Sequence, residues 1–203
     1  MFILTKIADL VQIVPEDFSK DAARAIEDNI NTKYANKVIQ KVGLCICMYD
    51  LLMASDGLIG HGTGLVNVNV EFRLIVFRPF KNEVILGKIS SSNLHGIRVR
   101  LPFFDDIFVP REKLPSPCEF KFDEQIYVWQ ASPDFPLYFD KHETVRLRIE
   151  QEIWTDQTPI GPKDEENSKS VRSSPYVLHG SMQEAGLGPC LWWDDAEEDV
   201  AEE

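Results

Sequence analysis

The chain has 203 residues, which at about 100–200 residues per domain fits one large or two small domains. Apolar residues at 44% and charged ones at 27% exclude a mostly disordered chain, and the absence of any apolar run near ~18 residues or of a basic, apolar leader argues against a membrane span or signal peptide. The formal net charge is −12, but Asp194, Asp195, Glu197, Glu198, Asp199, Glu202 and Glu203 supply seven of those charges, so residues 1–193 carry only −5 and 194–203 reads as a disordered acidic tail.

Residues 2–14 read as an extended segment with imperfect alternation. Pro15 suits a first helical turn, with Glu16 and Asp17 favourable at its positive end. Phe18, Ala22, Ala25, Ile26, Ile30 and Tyr34 then recur at helical spacing, with Arg24, Glu27, Asp28 and Lys33 on the other face; Asn36 and Lys37 end the helix. Strands are expected at Val38–Gly43 and Leu44–Leu52, with Cys45 and Cys47 sharing a face. Gly60-His61-Gly62-Thr63-Gly64 lacks the Lys-Ser/Thr of a phosphate loop and no helix follows it, so it reads as a hairpin loop after the Ser55-Asp56-Gly57 turn. In the next strand Val66, Val68, Val70, Phe72, Leu74 and Val76 fall on one face, and Asn67, Asn69, Glu71 and Arg73 on the other. One helix on a small antiparallel sheet accounts for residues 1–78. Leu44–Leu52 and the strand 65–77 offer more apolar surface than that helix covers, which marks an interface.

Arg78-Pro79-Phe80-Lys81 interrupts this pattern. Val84–Ser90, His95–Leu101, Ile107–Val109, Thr144–Trp154 and Tyr176–Gln183 follow as strands without a long helix, the pattern of a small barrel. Phe103-Phe104-Asp105-Asp106 reads as a turn. Pro115–Asp140 is an ordered, aromatic and proline-rich interruption, and Thr155–Pro175 a flexible loop. The four cysteines, Cys45, Cys47, Cys118 and Cys190, form no Cys-x-x-Cys pair and read as small apolar side chains in a reducing compartment.

No catalytic or metal-binding constellation is evident: His61, His95, His142 and His179 are scattered, and no serine lies in a nucleophile elbow. The barrel strands carry a different signature. Arg98 and Arg100 lie opposite Ile97, Val99 and Leu101; Arg146 and Arg148 lie opposite Val145, Leu147 and Ile149. Lys88, His95 and Lys141 are close to them in sequence, and Phe103, Phe104, Phe108 and Trp154 add rings. Cationic strands with stacking rings on a five-stranded barrel suit a single strand of nucleic acid. Outward arginines kept for solubility over a core of buried rings would give the same pattern.

Several segments together resemble one family. Glu71–Ile89 (EFRLIVFRPFKNEVILGKI) is similar to the domain junction of the RNA polymerase stalk subunit, the seventh subunit of RNA polymerase II or its counterpart in the archaeal enzyme, and the Gly57/Gly60 hairpin fits as well. Phe103–Pro110, Tyr127-Val128-Trp129 and Met182–Trp193 resemble the RNA polymerase III version. The resemblance implies an α+β amino-terminal tip domain, truncated ribonucleoprotein-like, over 1–80, then an all-β S1-like OB barrel over 81–193. It implies a nuclear, non-catalytic subunit without cofactor or metal, the active site lying in other subunits. That subunit forms the stalk with a smaller partner, works with the RNA polymerase III core and initiation factors, and contacts emerging single-stranded RNA. The RNA set is then Lys88, His95, Arg98, Arg100, Phe103, Phe104, Lys141, Arg146 and Arg148. Arg78, Pro79 and Phe80 form the interdomain junction, with Phe80 packed between the domains. The alternative is a free-standing OB-fold RNA-binding factor in translation or RNA processing.

Overall fold

A computed structural model describes residues 1–132, 135–157 and 174–194. They form two compact units, Met1–Pro79 and the part from Phe80 onward. The expected flexible loop and acidic tail fall mostly outside the described residues. No described helix is long and apolar enough to cross a membrane.

The first unit is a one-sided sheet. Strand β1 (Phe2–Ile13) is followed by a 3-10 turn at Pro15–Ser19, helix α1 (Ala22–Tyr34), β2 (Val38–Ile39), β3 (Gly43–Ala54), β4 (Leu58–Ile59) and β5 (Val66–Phe77). The sheet order is β1-β5-β3-β2, antiparallel throughout, with β4 also on β5. The expected face of β5 is buried from Val68 to Val76, and Ala25, Ile26 and Ile30 of α1 pack against it. Lys20 and Asp21 divide the expected single helix: Lys20 is extended and its ammonium pairs with Asp17 (3.0 Å) and Asp28 (3.1 Å). Phe18 is accordingly exposed, and Val38–Gly43 shortens to two strand residues before a turn.

Strand β3 carries three register shifts against β5. The first sets Cys45 opposite Val76 on the helix face and Cys47 opposite Ile75, so the two do not share a face as alternation implies. At the second, the Met48 N–H donates to Asn31 Oδ1 of α1 (2.8 Å). Phe2, Leu4, Leu10, Tyr49, Leu52 and Met53 remain exposed.

In the second unit, β6 (Val84–Asn93), β7 (Gly96–Leu101) and β8 (Phe104–Pro110) form an antiparallel meander. A small sheet intervenes, made of β9 (Cys118–Lys121), β10 (Ile126–Ser132) and β11 (Phe135–Phe139) with β10 central. It occupies the interval expected to be an ordered, proline-rich interruption, for which no strands were expected. Then come β12 (Thr144–Trp154), β13 (Tyr176–Ser181), β14 (Gly188–Pro189) and the short α2 (Leu191–Asp194). Strand β12 pairs with β6, β13 with β12, and β13 runs parallel to β8, so β6-β7-β8-β13-β12 closes into a five-stranded barrel. Ile85, Ile89, Ile97, Val99, Ile107, Val109, Val145, Leu147, Ile149 and Leu178 fill it, all at most 4% exposed.

The turn between β7 and β8 is only Pro102-Phe103, with Leu101 opposite Phe104. Asp105 and Asp106 therefore lie in a strand rather than in the turn expected from sequence. Tyr127 fastens the small sheet to the barrel by donating its hydroxyl to the Asn93 carbonyl (2.8 Å). Trp192 of α2 packs on Trp129 (5.3 Å between centroids) and Phe139 (4.7 Å).

Gly96 opens β7 at φ +156°, and a Cβ there would lie 2.1 Å from the Val109 carbonyl oxygen. Gly186 has φ +84° with open space around it. Gly96→Ala should cost about 3 kcal/mol or more of unfolding free energy, and Gly186→Ala only about 1–2 kcal/mol, the strain of a left-handed backbone. Denaturant unfolding of the two variants against wild type checks this; equal losses would contradict the packing described.

Candidate nucleic-acid interface

The outward positions of the barrel are fixed by the register that fills its interior. Lys88 of β6 lies directly opposite Arg100 of β7 on one side and Thr144 of β12 on the other. Arg98 lies opposite Ser91, and Arg146 opposite Leu86. Lys88, Arg98 and Arg100 are exposed and Arg146 is half-buried. Leu86, Gly87, Lys88, Arg100, Pro102 and Thr144 are among the residues lining a groove of about 510 Å³. Asp105 is its one acidic lining residue. Among the described residues, Lys88, Arg98, Arg100 and Arg146 make no ion pair. Like charges directly opposite on a sheet are destabilising, so the Lys88–Arg100 pair works against folding stability.

The remaining candidates separate. Lys141 and His95 are exposed in turns at the ends of β12 and β7, the first held near β6 by the His142 N–H on the Ile89 carbonyl (2.9 Å). Phe103 is 39% exposed beside Pro102 at the groove. Phe104 is 6% exposed, and its ring lies 5.6 Å from that of Tyr176 inside the barrel, so it packs the core and offers no face to a base. Trp154 stacks on Tyr176 at 4.1 Å and is no open platform either.

Arg148 is also removed from the cationic set. It pairs with Glu184 and with Glu150 (3.5 Å), and Glu150 also takes Lys113 (2.8 Å). This network clasps the segment after β13 to β12, helped by the Met182 N–H on the Lys113 carbonyl (2.8 Å).

The register adds His179 to Arg98, and brings in Phe108, named from sequence among the rings but not placed in the RNA set. Arg98, Phe108 and His179 are register neighbours on β7, β8 and β13, with the Phe108 and His179 rings 5.7 Å apart. Burial lowers the His179 pKa, which keeps the imidazole neutral at neutral pH. Phe108 alternates outward with Asp106 and Pro110, the signal that could have ranked it above Phe104.

At the boundary of the two units, Arg78 Nη1 donates to the Lys41 carbonyl (2.9 Å), and the Phe80 N–H donates to Glu83 (2.8 Å). Pro79 is buried and Phe80 is 60% exposed. The four cysteines are free, burial pushes the Cys45 and Cys118 thiols up to about 11, and no group of three metal-ligating side chains occurs among the described residues.

A family model described as RNA polymerase III subunit Rpc25 matches residues 83–193, more than half of the chain and all of the barrel strands. The chain belongs to this family. A second model, the SHS2 domain found in the N terminus of Rpb7p/Rpc25p/MJ0397, matches residues 8–64 of the first unit. The DNA-directed RNA polymerase III subunit rpc8 of Schizosaccharomyces pombe is 44% identical, across 95% of this chain and 100% of its own. The RPC8 subunits of Saccharomyces cerevisiae (40%; 96% of this chain, 100% of its own) and Bos taurus (39%; 95% and 98%) are similar over the same extent. These matches confirm the resemblance read from Phe103–Pro110, Tyr127–Trp129 and Met182–Trp193. Two of those stretches meet in the Rpc25-type unit, where Trp129 packs on Trp192.

The Glu150 network gives the unit an acid-sensitive clasp. Lys113 holds the Glu150 carboxyl below the usual range, against the opposing effect of burial. A lowered folded-state pKa adds stability above the ordinary value of about 4.3, and that stability disappears as pH falls through the folded value. Wild type should therefore lose more thermal stability between about pH 6 and 3 than Glu150→Gln, whose clasp is weak throughout. Parallel melting curves that stay equally spaced over this range would refute the role of Glu150.

Proposed function

We propose that this chain is a non-catalytic subunit of DNA-directed RNA polymerase III that forms a stalk with a smaller subunit, supports initiation with initiation factors, and holds emerging single-stranded RNA on its barrel. The observation that carries the RNA role is the opposed Lys88–Arg100 pair at the groove, flanked by Arg98 and Arg146 without carboxylate partners among the described residues. Four cations along neighbouring strands match a phosphate backbone, and Phe103 and Phe108 offer rings to bases. His95 and Lys141 extend the charge at the ends of the strands. A five-stranded ring with one parallel pair, β8 with β13, is the connectivity expected of an S1-like OB barrel.

The docking role draws on the first unit. Helix α1 covers one face of the sheet, and Phe2, Leu4, Leu10, Tyr49, Leu52 and Met53 stay exposed, an apolar area suited to a protein partner. We assign the tip-domain role to residues 1–80, the barrel role to 81–193, and the junction to Arg78, Pro79 and Phe80. The similarity to polymerase III subunits favours a nuclear complex over the alternative of a free-standing OB-fold RNA factor.

Affinity purification at moderate salt separates these readings. The stalk reading expects the polymerase III core and one smaller subunit to co-purify; recovery of only RNA or ribosomal material would favour the free-standing factor. In RNA binding, Lys88→Glu with Arg100→Glu should lower single-strand affinity and reduce the slope of log affinity against log salt by about 0.7 for each phosphate the variant no longer neutralises. Phe108→Ala and Phe103→Ala should each cost roughly 1–3 kcal/mol of binding if a base stacks there. Phe104→Ala should act through stability instead, lowering the melting temperature. Unchanged affinity in the double charge reversal would remove RNA from the proposal and leave the barrel as a protein-docking module.

A further inference from the structure

We propose that the acidic residues after Asp194 fold back onto the cationic groove and occupy it as an intramolecular polyanion, which RNA must displace. The displacement step rests on the RNA reading above; the docking itself does not.

Three observations carry it. The first is the tether. Strand β14 pairs Gly188 and Pro189 with Arg146 and Val145, and the next residue, Cys190, donates its N–H to the Thr144 carbonyl (2.9 Å). Thr144 lines the groove and lies directly opposite Lys88. Helix α2 is then fixed by Trp192 against Trp129 and Phe139, and by the Trp193 indole on the Leu187 carbonyl (3.1 Å). The acidic stretch thus leaves the barrel a few residues from the groove lip. Residues 195–203 span at most about 30 Å when extended, ample for the return.

The second is charge complementarity. The sequence after Asp194 carries six acids, Asp195, Glu197, Glu198, Asp199, Glu202 and Glu203, and the barrel carries four cations, Lys88, Arg98, Arg100 and Arg146, with no ion pair among the described residues. Tethered this close, the carboxylates act at an effective concentration of order millimolar, so even weak individual contacts fill the groove at low salt. The third is the charge balance of residues 158–173. In residues 158–173, Lys163, Lys169 and Arg172 balance Asp164, Glu165 and Glu166, so that segment has no net negative charge to offer.

The test uses the full chain and a variant with all six acids neutralised (Asp195→Asn, Glu197→Gln, Glu198→Gln, Asp199→Asn, Glu202→Gln, Glu203→Gln). Carbodiimide coupling followed by peptide mass spectrometry reads docking without RNA. Lys88 should couple to a tail carboxylate well above the level of Lys121, a lysine outside the groove, and the coupling should vanish near 1 M salt, where the Debye length is ~3 Å. Anisotropy with a short single-stranded oligouridylate reads competition. The neutralised variant should bind roughly three- to tenfold tighter at low salt, with a steeper salt slope, and equal wild type at high salt. Coupling of Lys88 no stronger than that of Lys121 overturns tail docking whatever RNA does. Selective coupling with identical RNA affinities in both proteins overturns the competition. If Lys88→Glu/Arg100→Glu leaves RNA affinity unchanged, the RNA reading fails, while selective Lys88 coupling in wild type still supports the docked tail.

Discussion

Closing five strands into a ring through the parallel β8–β13 contact is the constraint that orders the rest of the second unit. Once the ring is closed, period-two alternation leaves each strand one way to fill the interior, and every residue between the core positions must point outward. Each buried Val, Ile, Leu or aromatic side chain contributes roughly 1.5–3 kcal/mol. Placing Lys88 against Arg100, both exposed, costs at most about 1 kcal/mol. Interior packing wins by an order of magnitude over the ring as a whole, so the barrel holds its cations in a fixed, mutually repelling array without risk to the fold. That array is available to an anion with little reorganisation.

The first unit meets a different constraint. A single 13-residue helix reaches only one face of a five-stranded sheet, and the chain uses polar contacts to hold it there. Asn31 takes the Met48 N–H at an irregular point of β3, and Asp9, on the helix face of β1, accepts from the Tyr34 hydroxyl (2.7 Å) and pairs with Lys33. Burial of the Asp9 carboxyl is outweighed by these partners, so its pKa is lowered, whereas Tyr34 is pushed up to about 12 by burial and by Asp9. Across the sheet, the Lys6–Glu71 and Arg73–Asp50 pairs lie between apolar residues that nothing in this unit covers. A sheet built this way is complete as a fold and incomplete as a surface.

What could be read from sequence was whatever depends on regular periodicity. Strand β5, the inward faces of β7 and β12, and the helical stripe from Ala25 to Tyr34 repeat at two or at three to four residues, and they are found where that spacing places them. Two of the misses come from a break in strand alternation or an unexpectedly short turn. A register shift in β3 separates Cys45 from Cys47, and the two-residue Pro102-Phe103 turn draws Phe104 into the core and Asp105-Asp106 into a strand. The β9–β11 sheet was hidden by prolines that normally break strands. Pro117 precedes β9, and Pro136 sits in the edge strand β11, where a missing N–H is tolerated. Of the candidate site, Arg98, Arg100 and Arg146 were legible as outward positions, and Lys88 only as their neighbour in sequence. The neutralisation of Arg148 was not, because Glu184 lies far along the chain and reaches it only after β13 has closed the ring.

The net charge of −12 and the sequence pI of about 4.8 would by themselves argue against a nucleic-acid surface. Electrostatics at a binding face is local, however, since at physiological ionic strength fields decay over about 8 Å. The charged residues lining the groove are Lys88 and Arg100, against Asp105. More than half of the net negative charge is held in residues 194–203. A chain can therefore be strongly acidic overall, remain soluble and self-repelling through that segment, and still present a cationic face. Glu150 and Glu184 cancel Arg148 from fixed places, its own strand and the segment after β13. A tethered carboxylate competes by concentration and salt, whereas a packed one competes by geometry, and only the first can be displaced by a longer polyanion.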